Sequence, residues 1–189
     1  MLYQITSFLL DVVVGLFSGA CLLRVYMQYQ RIPFNNPMGQ IVFALSDWLV
    51  MPIRRIVRSV GRWDMASLLV AYALALLKFL LLWVVASAAW NPLMPPAMAV
   101  FDLLRTALYG LMALLLINMV LSWVQAQPGM GYVVQRLCEP PLRPFRRLIP
   151  MLNGLDLSPL VLVVVLQILA MLLIKLQEWV LIALYNITV

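Results

Sequence analysis

The chain has 189 residues, of which 65% are hydrophobic and only 11% charged, and its mean hydropathy is +1.01. Soluble domains carry roughly 45–50% apolar and about 25% charged residues, so a soluble globular domain is excluded and an integral membrane protein is expected. The net charge of +6 comes from 13 Lys and Arg against 7 Asp and Glu; the basic residues stand mostly beside apolar runs, which favours arginine at a membrane surface over nucleic-acid binding.

The first apolar run spans about Ile5 to Leu23 and ends at Arg24. About 20 apolar residues cross a hydrocarbon core near 30 Å thick, so this run is long enough to span it. No basic residue precedes it and no small-x-small site follows, so a cleavable signal peptide is not expected. Gly15-Leu-Phe-Ser-Gly19 is a GxxxG pattern, which serves packing within the chain or contact between two copies.

A connector follows from about Met27 to Arg62. Asn36-Pro37 reads as an N-cap with proline at the first helical position. Ile41, Ala44, Leu45 and Trp48 follow a 3.6-residue period, and Pro52 is expected to end or kink that helix. Arg54, Arg55, Arg58 and Arg62 come next, which makes the segment amphipathic, interfacial and cationic at one flank. Asp64 is placed to cap the second span, Met65 to about Trp90. An uncharged turn, Asn91 to Pro96, leads to a third span ending at Trp123. The second connector runs from Met130 to Leu157, and its prolines are expected to break the helix so that the chain lies along the interface. Asp156 is a cap, and Ser158-Pro159, an N-cap and first-turn pair, opens a fourth span that reaches about Ile182.

The two connectors are copies of one device. Asp47 stands 92 positions before Glu139, Pro52-Ile-Arg54-Arg55-Ile56 before Pro144-Phe-Arg146-Arg147-Leu148, and Asp64 before Asp156, without a gap from Ser46 to Leu68. Residues 1–92 and 93–189 are therefore read as two repeats, each a helix, a basic connector and a helix. The fold expected is all-α: four transmembrane helices in two tandem, parallel-repeat hairpins, each with an amphipathic interfacial connector. Both basic clusters fall on one side, so the positive-inside rule puts the connectors in the cytoplasm and both termini outside.

These paired motifs, Pro52 to Asp64 and Glu139-Pro-Pro-Leu-Arg143-Pro144-Phe-Arg146-Arg147 through Gly154-Leu-Asp156-Leu-Ser158-Pro159, resemble the two YGGT repeats of the YggT family over about residues 5 to 185. The resemblance implies a bacterial inner-membrane protein, similar to the YlmG proteins of Gram-positive bacteria and plastids. It implies links to osmotic stress and ion uptake, or to organising membrane complexes, nucleoids or division, and it carries no catalytic or cofactor residue.

Charges inside the core cost about 2.5–3.5 kcal/mol each on insertion scales. Lys78 lies about 21 Å beyond Asp64, and Asp11 about 20 Å before Arg24, at 1.5 Å per residue. Equal depth predicts an Asp11–Lys78 ion pair, the alternative being that each snorkels to the outer interface. Lys175 with Glu178, and Asp102 with Arg105, are spaced for local i, i+3 bridges, and Asn118 is placed to hydrogen-bond another helix. Near an anionic leaflet each exposed arginine contributes about 1 kcal/mol; Arg54, Arg55, Arg58, Arg143, Arg146 and Arg147 are thus the candidates for holding lipid or a partner. There is no histidine, and Cys21 and Cys138 are isolated, so no catalytic residue, cofactor, metal site or disulfide is expected.

The leading functional reading is a non-enzymatic inner-membrane protein that supports envelope or osmotic homeostasis or assembles membrane-associated complexes. Its expected partners are anionic membrane lipids and other membrane proteins or further copies of itself. The alternatives are an ion channel or transport component in osmotic stress, and an adaptor holding anionic lipid or an acidic partner through its arginines.

Overall fold

The computed structural model describes residues 1–57, 61–86, 91–123, 130–148 and 156–188. These form six α-helices: α1 (Leu2–Tyr29), α2 (Pro37–Arg54), α3 (Met65–Ala86), α4 (Met94–Trp123), α5 (Met130–Leu148) and α6 (Ser158–Thr188). Four of them, α1, α3, α4 and α6, are long and apolar enough to cross a membrane. α1 packs on α3, α3 on α4 and α4 on α6; α2 lies against α1 and α3, and α5 against α4 and α6. Helix α4 begins before Pro95 and Pro96 because first-turn N–H groups have no intrahelical acceptor, so proline loses nothing there.

The larger core gathers where α2 and α5 meet the spans. Met27, Ile32, Val42, Leu115, Val134, Leu137 and Leu166 are all buried in it. Helix α1 enters this core by turning sharply. Arg31 adopts φ 56°, the N–H of Arg31 donates to the Gln28 carbonyl and that of Ile32 to the Met27 carbonyl, both at 3.0 Å. This is the paired-bond helix stop that ordinarily places glycine at the left-handed position. Its hydrophobic clasp is Ile32 on Met27, both in the core. Helix α2 then starts where Asn36 Oδ1 accepts from the Gly39 N–H at 2.8 Å, with Pro37 at the first position. A Cβ at Gly39 would collide with the Phe34 backbone, so the loop closes only over glycine.

The structure corrects the reading of the prolines. Helix α2 continues through Pro52 to Arg54, and α5 runs unbroken through Pro140, Pro141 and Pro144. Each proline withholds one N–H from the carbonyl four residues earlier. In α5 two of those carbonyls belong to the exposed Arg136 and Pro140, on the side open to solvent. The third belongs to the buried Leu137, and Tyr26 Oη of α1 donates to it at 2.8 Å. A phenol from another helix thus supplies the bond that Pro141 cannot. Tyr26→Phe is therefore expected to lower unfolding free energy by about 1–3 kcal/mol, the cost of an unsatisfied buried acceptor. Adding Pro141→Ala should recover most of that loss, a coupling measured by a double-mutant cycle of equilibrium unfolding in detergent.

Candidate functional site

Two charge clusters sit among the spans, and an arginine-rich surface lies beside one of them. The first cluster forms where α1, α2 and α3 converge. Arg24 of α1 is buried; its Nη1 lies 2.5 Å from Asp47 Oδ1 and donates to Ser46 Oγ at 3.0 Å. Its Nε lies 3.4 Å from Asp64 Oδ2, and its guanidinium sits 4.8 Å from the Phe43 ring centroid. Asp64 is fully buried and also accepts from Arg54 Nη2 at 2.9 Å, from Ser67 Oγ at 2.9 Å and from the Ser67 N–H at 3.4 Å. It caps α3 and neutralises two arginines with the same carboxylate. Two cations face two carboxylates, so the cluster is electrically balanced, as a buried group of ions must be to offset its desolvation.

The same pair recurs 92 residues on. Arg146 Nε lies 2.8 Å from Asp156 Oδ2, and Asp156 Oδ1 accepts from the Ser158 N–H at 3.0 Å. Burial raises the Asp156 pKa, but the hydrogen bonds from Ser158 and Arg146 and the charge of Arg146 outweigh it and hold the carboxyl below its ordinary 3.8. The capping reading of Ser158 needs correction: Ser158 is the first residue of α6, and its buried Oγ has no hydrogen-bond partner among the described residues. The side chain that bonds the first turn is that of Asp156, whose Oδ1 takes the Ser158 N–H.

The second cluster lies at the far ends of the spans. Lys78 Nζ is buried, 3.0 Å from Asp11 Oδ1 and 2.7 Å from Asp102 Oδ2, while Arg105 Nη2 lies 2.6 Å from Asp102 Oδ1. The structure thus brings Asp11 and Lys78 together and adds Asp102, which is the more buried of the two carboxylates, 8% exposed against 52%. Lys175 and Glu178 pair at 2.8 Å on the exposed surface of α6. Asn118 is half-buried, and no described residue hydrogen-bonds its side chain.

Of the six candidate arginines, Arg54 and Arg146 are taken up in these bridges. Arg55, Arg143 and Arg147 are exposed and form no ion pair among the described residues, and Arg58 lies outside them. Cys21 and Cys138 are free and buried; burial pushes the Cys138 thiol up to about 11, against the opposing charge of Arg146. Gly15 of the GxxxG pattern faces open space, and Gly19 only approaches Thr106 of α4.

Sequence reasoning overlooked Arg24, Asp47 and Asp102 as site residues. Asp102 carried a usable signal. It stands as far inside α4 from Met94 as Lys78 stands inside α3 from Ala86, so a short turn between the two helices sets them at one depth. Asp47 carried a weaker one, an acidic residue in a helix with no basic residue within one turn before or after it.

The sequence model of the CCB3/YggT family matches this chain twice, at residues 3–85 and 97–177. The YggT protein of Escherichia coli K12 is 37% identical over 166 residues, covering 87% of each chain. A Vibrio alginolyticus protein encoded in the proC 3′ region is 38% identical over 164 residues, covering 85% of this chain and 89% of its own. A Pseudomonas aeruginosa protein is 32% identical over 188 residues, covering 89% and 87%. No solved structure matches. With matches across both halves and at this identity, the chain belongs to the CCB3/YggT family.

Proposed function

We propose that the protein is a non-enzymatic multi-pass scaffold of the bacterial inner membrane, holding anionic lipid and membrane-associated partners at its cytoplasmic face in the service of envelope homeostasis. The observation that carries this reading is where the surplus charge goes. Every described acidic residue except Glu139 is spent in an ion pair. The excess positive charge therefore falls on exposed arginines of the two connectors: Arg31, Arg55, Arg62, Arg136, Arg143 and Arg147. All lie between the first and second or the third and fourth spans, and the positive-inside rule assigns that side to the cytoplasm. Against an anionic leaflet each contributes about 1 kcal/mol.

An ion pathway draws less support from the same charges. Permeation needs polar groups along one continuous surface, whereas Lys78, Asp11, Asp102 and Arg105 neutralise one another.

The test is a triple substitution, Arg55→Gln, Arg143→Gln and Arg147→Gln, which spares every buried bridge. The expected result is a protein that inserts and unfolds as the parent does. It should retain several-fold less phosphatidylglycerol and cardiolipin through purification, read by native mass spectrometry. Unchanged lipid retention would count against the scaffold reading.

A further inference from the structure

The two connector helices both bury apolar residues, Met38, Val42 and Val50 among them on α2, but differ in the face left outside. On α5 the inner face is apolar, with Val133, Val134, Leu137, Cys138 and Leu142 buried, while Gln135, Arg136, Glu139 and Arg143 are exposed. On α2 the exposed stripe is Ile41, Ala44, Trp48 and Met51, repeating at helical spacing, and the face towards α1 carries Ser46 and Asp47 to Arg24. Four apolar residues in register, with Ile41, Trp48 and Met51 each more than half exposed, need something apolar against them.

The neighbouring contacts say what covers them. Trp48 packs edge-on to Phe17 of α1, with ring centroids 5.5 Å apart. Phe17 lies about 10 Å along the helix from Arg24, towards the middle of the span, and its neighbours Val13 and Leu16 are exposed apolar residues of that same span. The α2 stripe is thus continuous with the outer surface of a membrane-crossing helix. The contacts do not advance in step along the two helices, because Asp47 meets Arg24 while Arg54 reaches Gln28 and Trp48 reaches Phe17. Helix α2 therefore crosses α1 near Arg24, with Trp48 directed towards the bilayer centre. Exposed Arg31 precedes α2, and exposed Arg55 and Arg62 and the half-exposed Trp63 follow the stripe at its other end, the composition by which cationic amphipathic helices sit 5–10 Å deep at a headgroup boundary.

From this we infer that α2 is sunk in the acyl-chain boundary of the anionic leaflet, whereas α5 turns its outer face to water. Lipid meets the apolar stripe, and behind it Arg24 and Asp64 are buried while Asp47 stays partly exposed at the edge. The arginines of α5 are left as the aqueous surface. This rests on the membrane-spanning reading of α1 and does not depend on the scaffold role.

Spin labels at single introduced cysteines test it, in vesicles of phosphatidylethanolamine and phosphatidylglycerol. The sites are Ala44→Cys and Met51→Cys on α2, Gln135→Cys and Arg143→Cys on α5, and Val13→Cys on the lipid-facing side of α1. All are exposed positions, and the buried native cysteines are checked for silence by labelling the parent chain. At Ala44 and Met51, collision with oxygen should exceed collision with a water-soluble nickel chelate several-fold, as at Val13, and the order should reverse at Gln135 and Arg143. Nickel access at Ala44 and Met51 with a lipid-like Val13 would overturn the inference, as would shielding from both reagents, the mark of a second copy over the stripe. A water-exposed Val13 would instead overturn the spanning reading on which it rests.

Discussion

Asp64→Ala is expected to lower the free energy of unfolding by about 3–5 kcal/mol, the cost of stranding buried charge when one partner is removed. The carboxylate is fully buried and holds Arg24, Arg54 and Ser67 at once. Without it Arg24 keeps Asp47, Ser46 and the Phe43 ring, and Arg54 keeps only the longer 3.4 Å bond to Gln28. The duplicated position gives the control. Asp156 stands where Asp64 does in the other half, but its side chain is 24% exposed and it pairs with one arginine. Asp156→Asn should therefore cost no more than about 1 kcal/mol, the range of exposed ion pairs. The Asp156 contribution is also the one that pH should reveal. Its folded pKa lies below the ordinary 3.8, so the contribution is complete above that value and disappears as pH falls through the lower folded one. Equilibrium unfolding in detergent, with the two variants side by side, checks both the size and the asymmetry. Equal losses would mean that the two clusters are equally buried.

That asymmetry also marks what could be read from the chain. Spans, turns and caps are local, and residues such as Asn36, Pro37 and Asp64 announce them through spacing and residue type alone. The prolines of α5 misled because the rule for proline counts donors within one helix. The missing donor for Leu137 comes instead from Tyr26, which is remote in sequence. Arg24 was legible as the edge of a span but not as the centre of a cluster, since its partners lie on two other helices. The contrast between α2 and α5 was hidden for the same reason. Both carry arginine at matched positions, and only packing decides which face of each is left outside.

Lys78→Met is the second substitution with a large expected effect, again about 3–5 kcal/mol. It leaves Asp102 within the apolar bundle with Arg105 alone, and Asp11 with no ion-pair partner among the described residues. The two carboxylates should not weigh equally. Asp102 is 8% exposed and 2.7 Å from Nζ, whereas Asp11 is 52% exposed and 3.0 Å away. Asp11→Asn should stay within about 1 kcal/mol, while Asp102→Asn should approach the cost of losing the lysine. The double variant Lys78→Met with Asp102→Asn should regain most of the single losses, because it removes both ends of the buried pair and strands neither. Unfolding of these variants in lipid–detergent bicelles separates the two carboxylates. A loss at Asp11 as large as that at Asp102 would make the lysine a bridge between α1 and α4 of equal strength on both sides. The expected inequality makes it chiefly a clasp across the α3–α4 turn, set by the equal depth of Lys78 and Asp102 on either side of that turn.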